Sequence, residues 1–299
     1  MKPRIHQQDA FDSTIKYLEE HKGKSPVIVL PTGSGKTLVI AMLIKHLHES
    51  KKKVVILSHV KEILEQNYKA ISDFTGLDIG VNSSMLNRRE IKDITVAGIQ
   101  SVFRSACDFS THDYIIVDEA HLISSEEGTM YDTFFKESGI KTKIGLTATP
   151  YRLGTGYIYG NTDYATFNSV CCSWGTADKF NKLIQLGYLC KLTTKRTSNE
   201  MDTSGIKMIG GDFSDKELSN RFDRENVTNE IIKEVMAAGK DRKKWLFFAI
   251  DIDHAEHIAE ILIRNGIKTA PIHSKMGDSG FCRVKTINKL KKGGYRAAV

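Results

Sequence analysis

The chain has 299 residues, 40% hydrophobic and 26% charged, which is ordinary globular composition and length enough for about two domains with their own cores. Its longest apolar runs, such as "VIAML" at Val39–Leu43, fall far short of the ~18 residues of a membrane span, and the start "MKPRIHQQDAF" lacks the apolar stretch of a signal peptide. Net charge is +7; residues 240–299 hold 13 Lys/Arg against 6 Asp/Glu, and the rest balances at 30 against 30. That basic end suits an anionic partner such as nucleic acid, or else "KTINKLKK" is simply the wet face of a helix.

Short apolar runs alternate with helical patterns. "SPVIVL" (Ser25–Leu30) reads as a strand, followed by a Gly-rich turn and a helix over Lys36–Glu49. "KKVVILS" (Lys52–Ser58) is the next strand, then a helix through "KEILEQNYKAI". "DITVAG" (Asp93–Gly98), "DYIIVDE" (Asp113–Glu119) and "TKIGLTA" (Thr142–Ala148) follow as strands. Their Val/Ile/Leu-rich runs, with little polar alternation, predict strands covered on both faces, and the strand–helix alternation predicts an α/β fold with a parallel, doubly wound sheet. The first domain is expected over residues 1–160. A turn-rich, polar connector follows over 161–210, with "DKFNKLIQLGYL" at helical spacing, and a second α/β unit over 211–299. There "NEIIKEVMAA", "DHAEHIAEILIRNG" and "RVKTINKLKKG" read as helices, and "KWLFFAI" (Lys244–Ile250), "KTAPIHS" and "YRAAV" as strands. "YRAAV" is expected to leave an open sheet edge, prone to association.

The cysteines are Cys107, Cys171, Cys172, Cys190 and Cys282, with neither Cys-x-x-Cys nor a Cys/His set at zinc spacing. They are expected as buried or half-buried thiols of a reducing cytosol, with no metal cluster.

"LPTGSGKT" (Leu30–Thr37) follows a strand and opens a helix, the context of a phosphate-binding loop. Gly33 and Gly35 let backbone N–H groups turn inward, as in a cradle from Thr32 through Ser34 to the helix N-terminus. Lys36 is expected at the β/γ-phosphates of ATP and the Thr37 hydroxyl on Mg²⁺. The strict loop pattern has Gly where this chain has Leu30. "YIIVDEAH" ends a strand in Asp118 and Glu119, at the carboxyl edge where ligands of parallel sheets sit. Asp118 is assigned to the metal ion and Glu119 to the attacking water as base.

"PTGSGKT", "VDEAH" and "LTATP" in this order resemble motifs I, II and III of superfamily 2 helicases. The resemblance covers the first 150 residues and implies a RecA-like lobe followed by an incomplete second one. It makes Arg4 and Gln7 of "PRIHQQDAF" the adenine-reading motif, although Gln7 alone is read as a surface helix residue. It gives His121, Thr147 and Thr149 a coupling role between the γ-phosphate and the nucleic acid. "LSHVKEILEQ" and "TVAGIQSVFR" are similar to motifs Ia and Ib, which implies strand contacts from Ser58, His59, Lys61, Gln100, Ser101 and Arg104. His273 and Ser274 are either further contacts or ordinary core and turn residues. "TATPYRLGTGYIYG", "HVKEIL" and "LIQLGYL" resemble the RadD-type branch of DNA-repair helicases and phage relatives, which implies single-stranded or forked DNA more than RNA. In the family, the strand matching "YRAAV" leads to motif V and then to motif VI, which supplies arginine fingers worth about 10³–10⁵ in rate. The chain reads as a helicase truncated before them, expected to bind Mg-ATP with weak hydrolysis.

Overall fold

The computed structural model describes residues 2–124, 126–152, 156–162, 165–195, 202–209, 212–222, 225–276 and 281–299. They divide into two compact units, Met1–Lys191 and Leu192–Val299.

In the first unit, α1 (Ile5–Glu20) precedes β1 (Pro26–Val29) and α2 (Lys36–Glu49). Then come β2 (Val54–Ser58), α3 (Lys61–Thr75), β3 (Gly80–Ser83), β4 (Arg88–Arg89) and β5 (Ile94–Gly98). After the short α4 (Ile99–Val102) follow β6 (Tyr114–Asp118), α5 (Met130–Ser138) and β7 (Thr142–Thr147). A small hairpin, β8 (Tyr151–Arg152) and β9 (Gly156–Tyr157), leads to β10 (Ser169–Ser173) and α6 (Ala177–Gln185). The sheet order is β10-β1-β7-β6-β2-β5-β3-β4, parallel throughout except for β3 against β4.

Strand side chains alternate between faces, and both faces are packed. Val54 and Ile56 of β2 join Ile28, Ile116 and Leu146 in a core with α2 and α3. Val55 and Leu57 join Val27, Ile115 and Val117 on the opposite side, closed by Phe109, Phe134 and Phe167. Gly145 of β7 makes room for this second core, since a Cβ there would stand 2.5 Å from the Phe167 ring. The parallel, doubly wound expectation holds, and the architecture is RecA-like.

The boundary at residue 160 lies inside this unit. β10 pairs with β1, and Trp174 and Leu183 are buried in the first core. The stretch read as a connector therefore contributes a sheet edge and a covering helix. The cysteine expectation is corrected too: Cys107 and Cys190 are exposed, Cys171 is half-buried and Cys172 buried. Burial pushes the thiols of Cys171 and Cys172 up to about 11 and about 12, so both stay protonated. The Cys282 side chain lies outside the described residues, as do residues 153–155 of the "TATPYRLGTGYIYG" run.

The second unit opens with a two-stranded ribbon, β11 (Met208–Ile209) and β12 (Asp212–Phe213), then α7 (Asp215–Phe222) and α8 (Glu225–Ala238). β13 (Trp245–Leu246), α9 (Ile252–Arg264), β14 (Thr269–Ala270), α10 (Phe281–Lys291) and β15 (Ala297–Ala298) follow. The three single strands form a parallel sheet in the order β13-β15-β14. The open edge expected at "YRAAV" is thus corrected. β15 is paired on both sides, and the edges are β13 and β14. "KWLFFAI" also shortens to two residues, leaving Phe248 89% exposed.

Among the described residues, no helix is long and apolar enough to cross a membrane.

Candidate nucleotide site

β1, β7 and β6 are consecutive neighbours and parallel, so their carboxyl ends share one edge of the sheet. The Gly-rich loop follows β1, "TATP" closes β7, and Asp118 ends β6. Leu30 N donates to Thr147 O at 3.0 Å, which stitches the loop to the end of β7.

The loop turns on two left-handed glycines, Gly33 (φ 80°) and Gly35 (φ 85°), and Gly35 caps the N-terminus of α2. A Cβ on Gly35 would also meet Gln7 Nε2 at 2.5 Å. Ser34 is buried; its hydroxyl donates to Pro31 O at 2.6 Å, while Thr32 stays exposed.

Lys36, only 10% exposed, places Nζ 3.2 Å from Glu119 Oε1. Glu119 adopts the left-handed region (φ 52°, ψ 52°), which costs a non-glycine residue about 1–2 kcal/mol. That backbone carries its carboxylate toward Lys36 on one side and to 3.5 Å from His121 Nδ1 on the other. His121 Nδ1 lies 2.9 Å from Thr147 Oγ1, whose own proton goes to Thr149 O, so the imidazole is the donor. Thr149 N donates back to Thr147 Oγ1 at 3.0 Å. Burial holds His121 below its ordinary value, against the pull of Glu119. The three coupling residues are therefore one hydrogen-bonded chain, and the Glu119 carboxylate lies beside its His121 end.

Asp118 is 6% exposed. Its Oδ2 accepts from Asn67 Nδ2 and its Oδ1 from Glu119 N, each at 3.0 Å. Burial raises its carboxyl above the ordinary range, with Glu119 adding to the rise and Asn67 and Lys36 opposing it. Thr37 Oγ1 accepts from Gln66 Nε2 at 3.2 Å. These oxygen donors suit a magnesium ion, which takes one or two protein oxygens and keeps several waters. Each retains a lone pair for the ion or its water shell. Among the described residues, no three His, Cys, Asp or Glu side chains form a metal-binding group.

Gln7 departs from the surface-helix reading, being only 4% exposed. It clasps the loop: Nε2 donates to Ser34 O at 3.0 Å and Gly35 O at 3.3 Å, and Oε1 accepts from Arg4 N at 2.9 Å. His6, fully buried, adds a bond from Nε2 to Ser34 O at 2.8 Å. The Arg4 guanidinium stacks 4.7 Å above the Tyr188 ring, and Leu189 packs beside Gly33. Asn67, His6, Tyr188 and Arg152, whose Nε donates to His121 O at 3.2 Å, all escape motif reading. Only the Gly-Tyr-Leu after α6 hinted at the Tyr188 position.

The residues expected to hold a strand follow β2 and β5, which continue the same sheet edge. Gln100 Nε2 donates to His59 O at 3.0 Å, joining the two loops. Ser101 Oγ accepts from Ser84 N at 2.8 Å. Lys61 and Arg104 are exposed. Ser58 is a correction: it is 1% exposed, its hydroxyl turned to Val60 N, because it is the last inward-packed residue of β2. His59 is half-buried against Tyr131, and burial pushes its imidazole down. His273 and Ser274 belong to the second unit, where His273 Nε2 lies 2.8 Å from Glu256 Oε1 and Ser274 is exposed.

Residues 1–152 match the family model described as type III restriction enzyme, res subunit. The chain belongs to this family. Its membership agrees with the superfamily 2 helicase resemblance carried by the motifs. Two relatives match beyond the motif-bearing half of the chain. It is 26% identical to the type I restriction enzyme EcoAI endonuclease subunit of Escherichia coli, over 87% of this chain and 34% of that protein. It is 23% identical to the putative mitochondrial ATP-dependent helicase irc3 of Schizosaccharomyces pombe, over 93% of this chain and 46% of that one. The chain thus spans less than half the length of either relative. Among solved structures, the ATP-dependent type ISP restriction-modification enzyme LlaBIII bound to DNA shares the fold at 15% identity, with a TM-score of 0.59 over 98% of this chain and 23% of that one.

Proposed function

We propose that the chain is a nucleic-acid-stimulated ATP hydrolase, the ATP-using part of a helicase or translocase that acts on DNA. The observation that carries this is the Lys36–Glu119 ion pair at the mouth of a glycine-turned loop. Glu119 holds the place of a phosphate. When a γ-phosphate takes Lys36 as its partner, the carboxylate is released to orient the attacking water and accept its proton. The left-handed backbone at Glu119 keeps that carboxylate in reach of the loop. The backbone of the loop that Gly33 and Gly35 turn, with the start of α2, would carry the phosphate charge. Thr37 and Asp118 would hold Mg²⁺, which when bound supplies charge neutralisation between the β- and γ-phosphates. Arg4, Gln7 and Tyr188 form the adenine side of the site, with Tyr188 as a flat apolar surface.

His121, Thr147 and Thr149 would carry the state of Glu119 to the loops after β2 and β5. There His59, Lys61, Gln100, Ser101 and Arg104 hold a sugar-phosphate backbone without reading bases. DNA is the proposed partner, single-stranded or forked, on two grounds. "HVKEIL" stands where DEAD-box RNA helicases carry Pro-Thr-Arg-Glu-Leu, and LlaBIII is bound to DNA. The RadD-type placement belongs to the same proposal.

The test is steady-state ATP hydrolysis with and without a single-stranded oligonucleotide, in the parent chain and in Glu119→Gln. Stimulation by the strand is expected, with turnover lower by about 10²–10⁴ in the variant while ATP still binds. A variant as active as the parent sinks the assignment of the base. Strand-independent hydrolysis sinks the motor reading.

A further inference from the structure

Residues 240–299, within the second unit, carry the charge excess of the chain, and the fold gathers much of it on one edge. β13, β15 and β14 are parallel, so the segments leading into all three meet at the amino edge of the sheet. The lead-in to β13 is Lys240-Asp241-Arg242-Lys243-Lys244, and all five residues are exposed. The lead-in to β14 ends in exposed Lys268. That to β15 brings Lys289, Lys291 and Lys292, also exposed, and Arg296.

Direct bonds fasten these segments together. Arg296 Nη2 donates to Lys240 O at 2.7 Å and Arg242 O at 3.3 Å, and its guanidinium lies 4.5 Å from the Trp245 ring centre. Lys244 Nζ donates to Lys291 O at 2.6 Å. The edge thus carries nine cations and Asp241 as its acid. A concavity of about 460 Å³ opens between the lead-ins to β14 and β15, with Lys268, Lys289 and Tyr295 in its wall. His273 and Ser274, the second-unit residues expected to touch the strand, follow β14 and so lie at the opposite edge.

We propose that this amino edge is a second nucleic-acid surface, gripping the sugar-phosphate backbone of a strand independently of the helicase motifs. The proposal rests on the nucleic-acid reading above. One-signed charge spread over three segments matches a polyanion rather than a single ion. An aromatic ring beside lysines in a groove suits a nucleotide, whose base or sugar has a flat face to pack. The cations carry no base-reading geometry, so binding should be indifferent to sequence.

The experiment measures the affinity of the full chain for a labelled oligothymidylate across a salt series. Lys243→Gln/Lys291→Gln/Lys292→Gln removes three exposed charges that make none of the anchoring side-chain bonds named above. A matched control, Lys22→Gln/Lys24→Gln/Lys45→Gln, removes three exposed charges from the first unit. The slope of log affinity against log salt should fall by about 2 in the first triple, at about 0.7 for each phosphate no longer neutralised. It should stay unchanged in the control, with ATP affinity equal in all three proteins. An unchanged slope in the first triple, or an equal fall in the control, overturns the surface alone. A parent chain that binds no strand overturns the nucleic-acid reading as well. A triple that loses polyglutamate binding yet keeps the parent's slope for the strand assigns the edge to an acidic protein and overturns the proposal.

Discussion

In the first unit, β2 pairs with β5 from Val54 to Ser58 and with β6 from Val54 to Leu57, and its side chains feed two closed cores. In the second, β13, β15 and β14 pair over two residues each around a smaller core of Trp245, Leu262 and Ile258. The same strand–helix alternation therefore yields two different degrees of closure. Long, doubly covered strands can hold a loop, a carboxylate and a hydroxyl at fixed spacing, which chemistry on a triphosphate requires. A sheet of two-residue pairings suits a surface that grips a polyanion by charge, where tolerance of position costs little.

The most forceful way to break this comparison is to remove one strand side chain from the closed sheet and one from where the second sheet's pairing stops. The chain has two tryptophans, Trp174 in the first unit and Trp245 in the second, so fluorescence can follow each separately. Ile56→Ala in β2, at a site with no exposed surface, should cost about 2–5 kcal/mol in the Trp174 transition. Phe248→Ser should move the Trp245 transition by no more than about 0.5 kcal/mol. Denaturant melts of Trp174→Phe and Trp245→Phe backgrounds measure both. Comparable shifts in the two would remove the distinction between a closed and a lightly paired sheet.

The contrast also governs what is legible in the sequence. β2 and β6 are legible as unbroken runs of Val, Ile and Leu, and β5 and β7 as short stretches rich in β-branched and apolar residues; the observed strands differ from the expected bounds by one or two residues. β10 is not, because "SVCCS" has one branched apolar residue, and its place is set by pairing with β1 rather than by its own pattern. In the second unit the strands are recognisable but overextended: "KWLFFAI" is apolar enough for seven residues, yet partners exist for two. The site divides in the same manner. Lys36, Thr37, Asp118 and Glu119 sit in local motifs with mechanisms attached. Asn67, His6 and Tyr188 reach the same place across tertiary contacts, and no local motif assigns them a role there. The left-handed Glu119 is invisible too, since nothing in "VDEAH" distinguishes it from a helix start.

Tyr188 sharpens the comparison with a smaller effect, because it belongs to the segment that the first unit recruits after β10. Tyr188→Ala should weaken ATP about two- to tenfold, the scale of about 0.5–1.5 kcal/mol for an aromatic contact. Tripolyphosphate affinity should not change, and Tyr188→Phe should behave as the parent. Equal losses for ATP and tripolyphosphate would mean that the ring merely props the loop.

The mildest effect follows from protons. Four histidines of the first unit, His6, His59, His112 and His121, are held below their ordinary value of 6.5, in each case chiefly by burial. The folded state resists charging them, while the unfolded chain takes up protons as pH falls through 6.5. Below that point the unfolded state binds more protons, so stability rises with pH up to about 6.5 and levels off above it. The raised carboxyl of Asp118 acts oppositely: its stabilisation is full below 3.8 and is lost as pH climbs through its elevated value. The Trp174 transition should therefore move to lower denaturant between about pH 7 and 5, by at most about 1.4 kcal/mol per histidine for each pH unit crossed. His6→Asn and His112→Asn together should flatten that slope. A flat profile in the parent would show that the histidines charge freely in the folded state, and that the first unit is less tightly closed than its two cores imply.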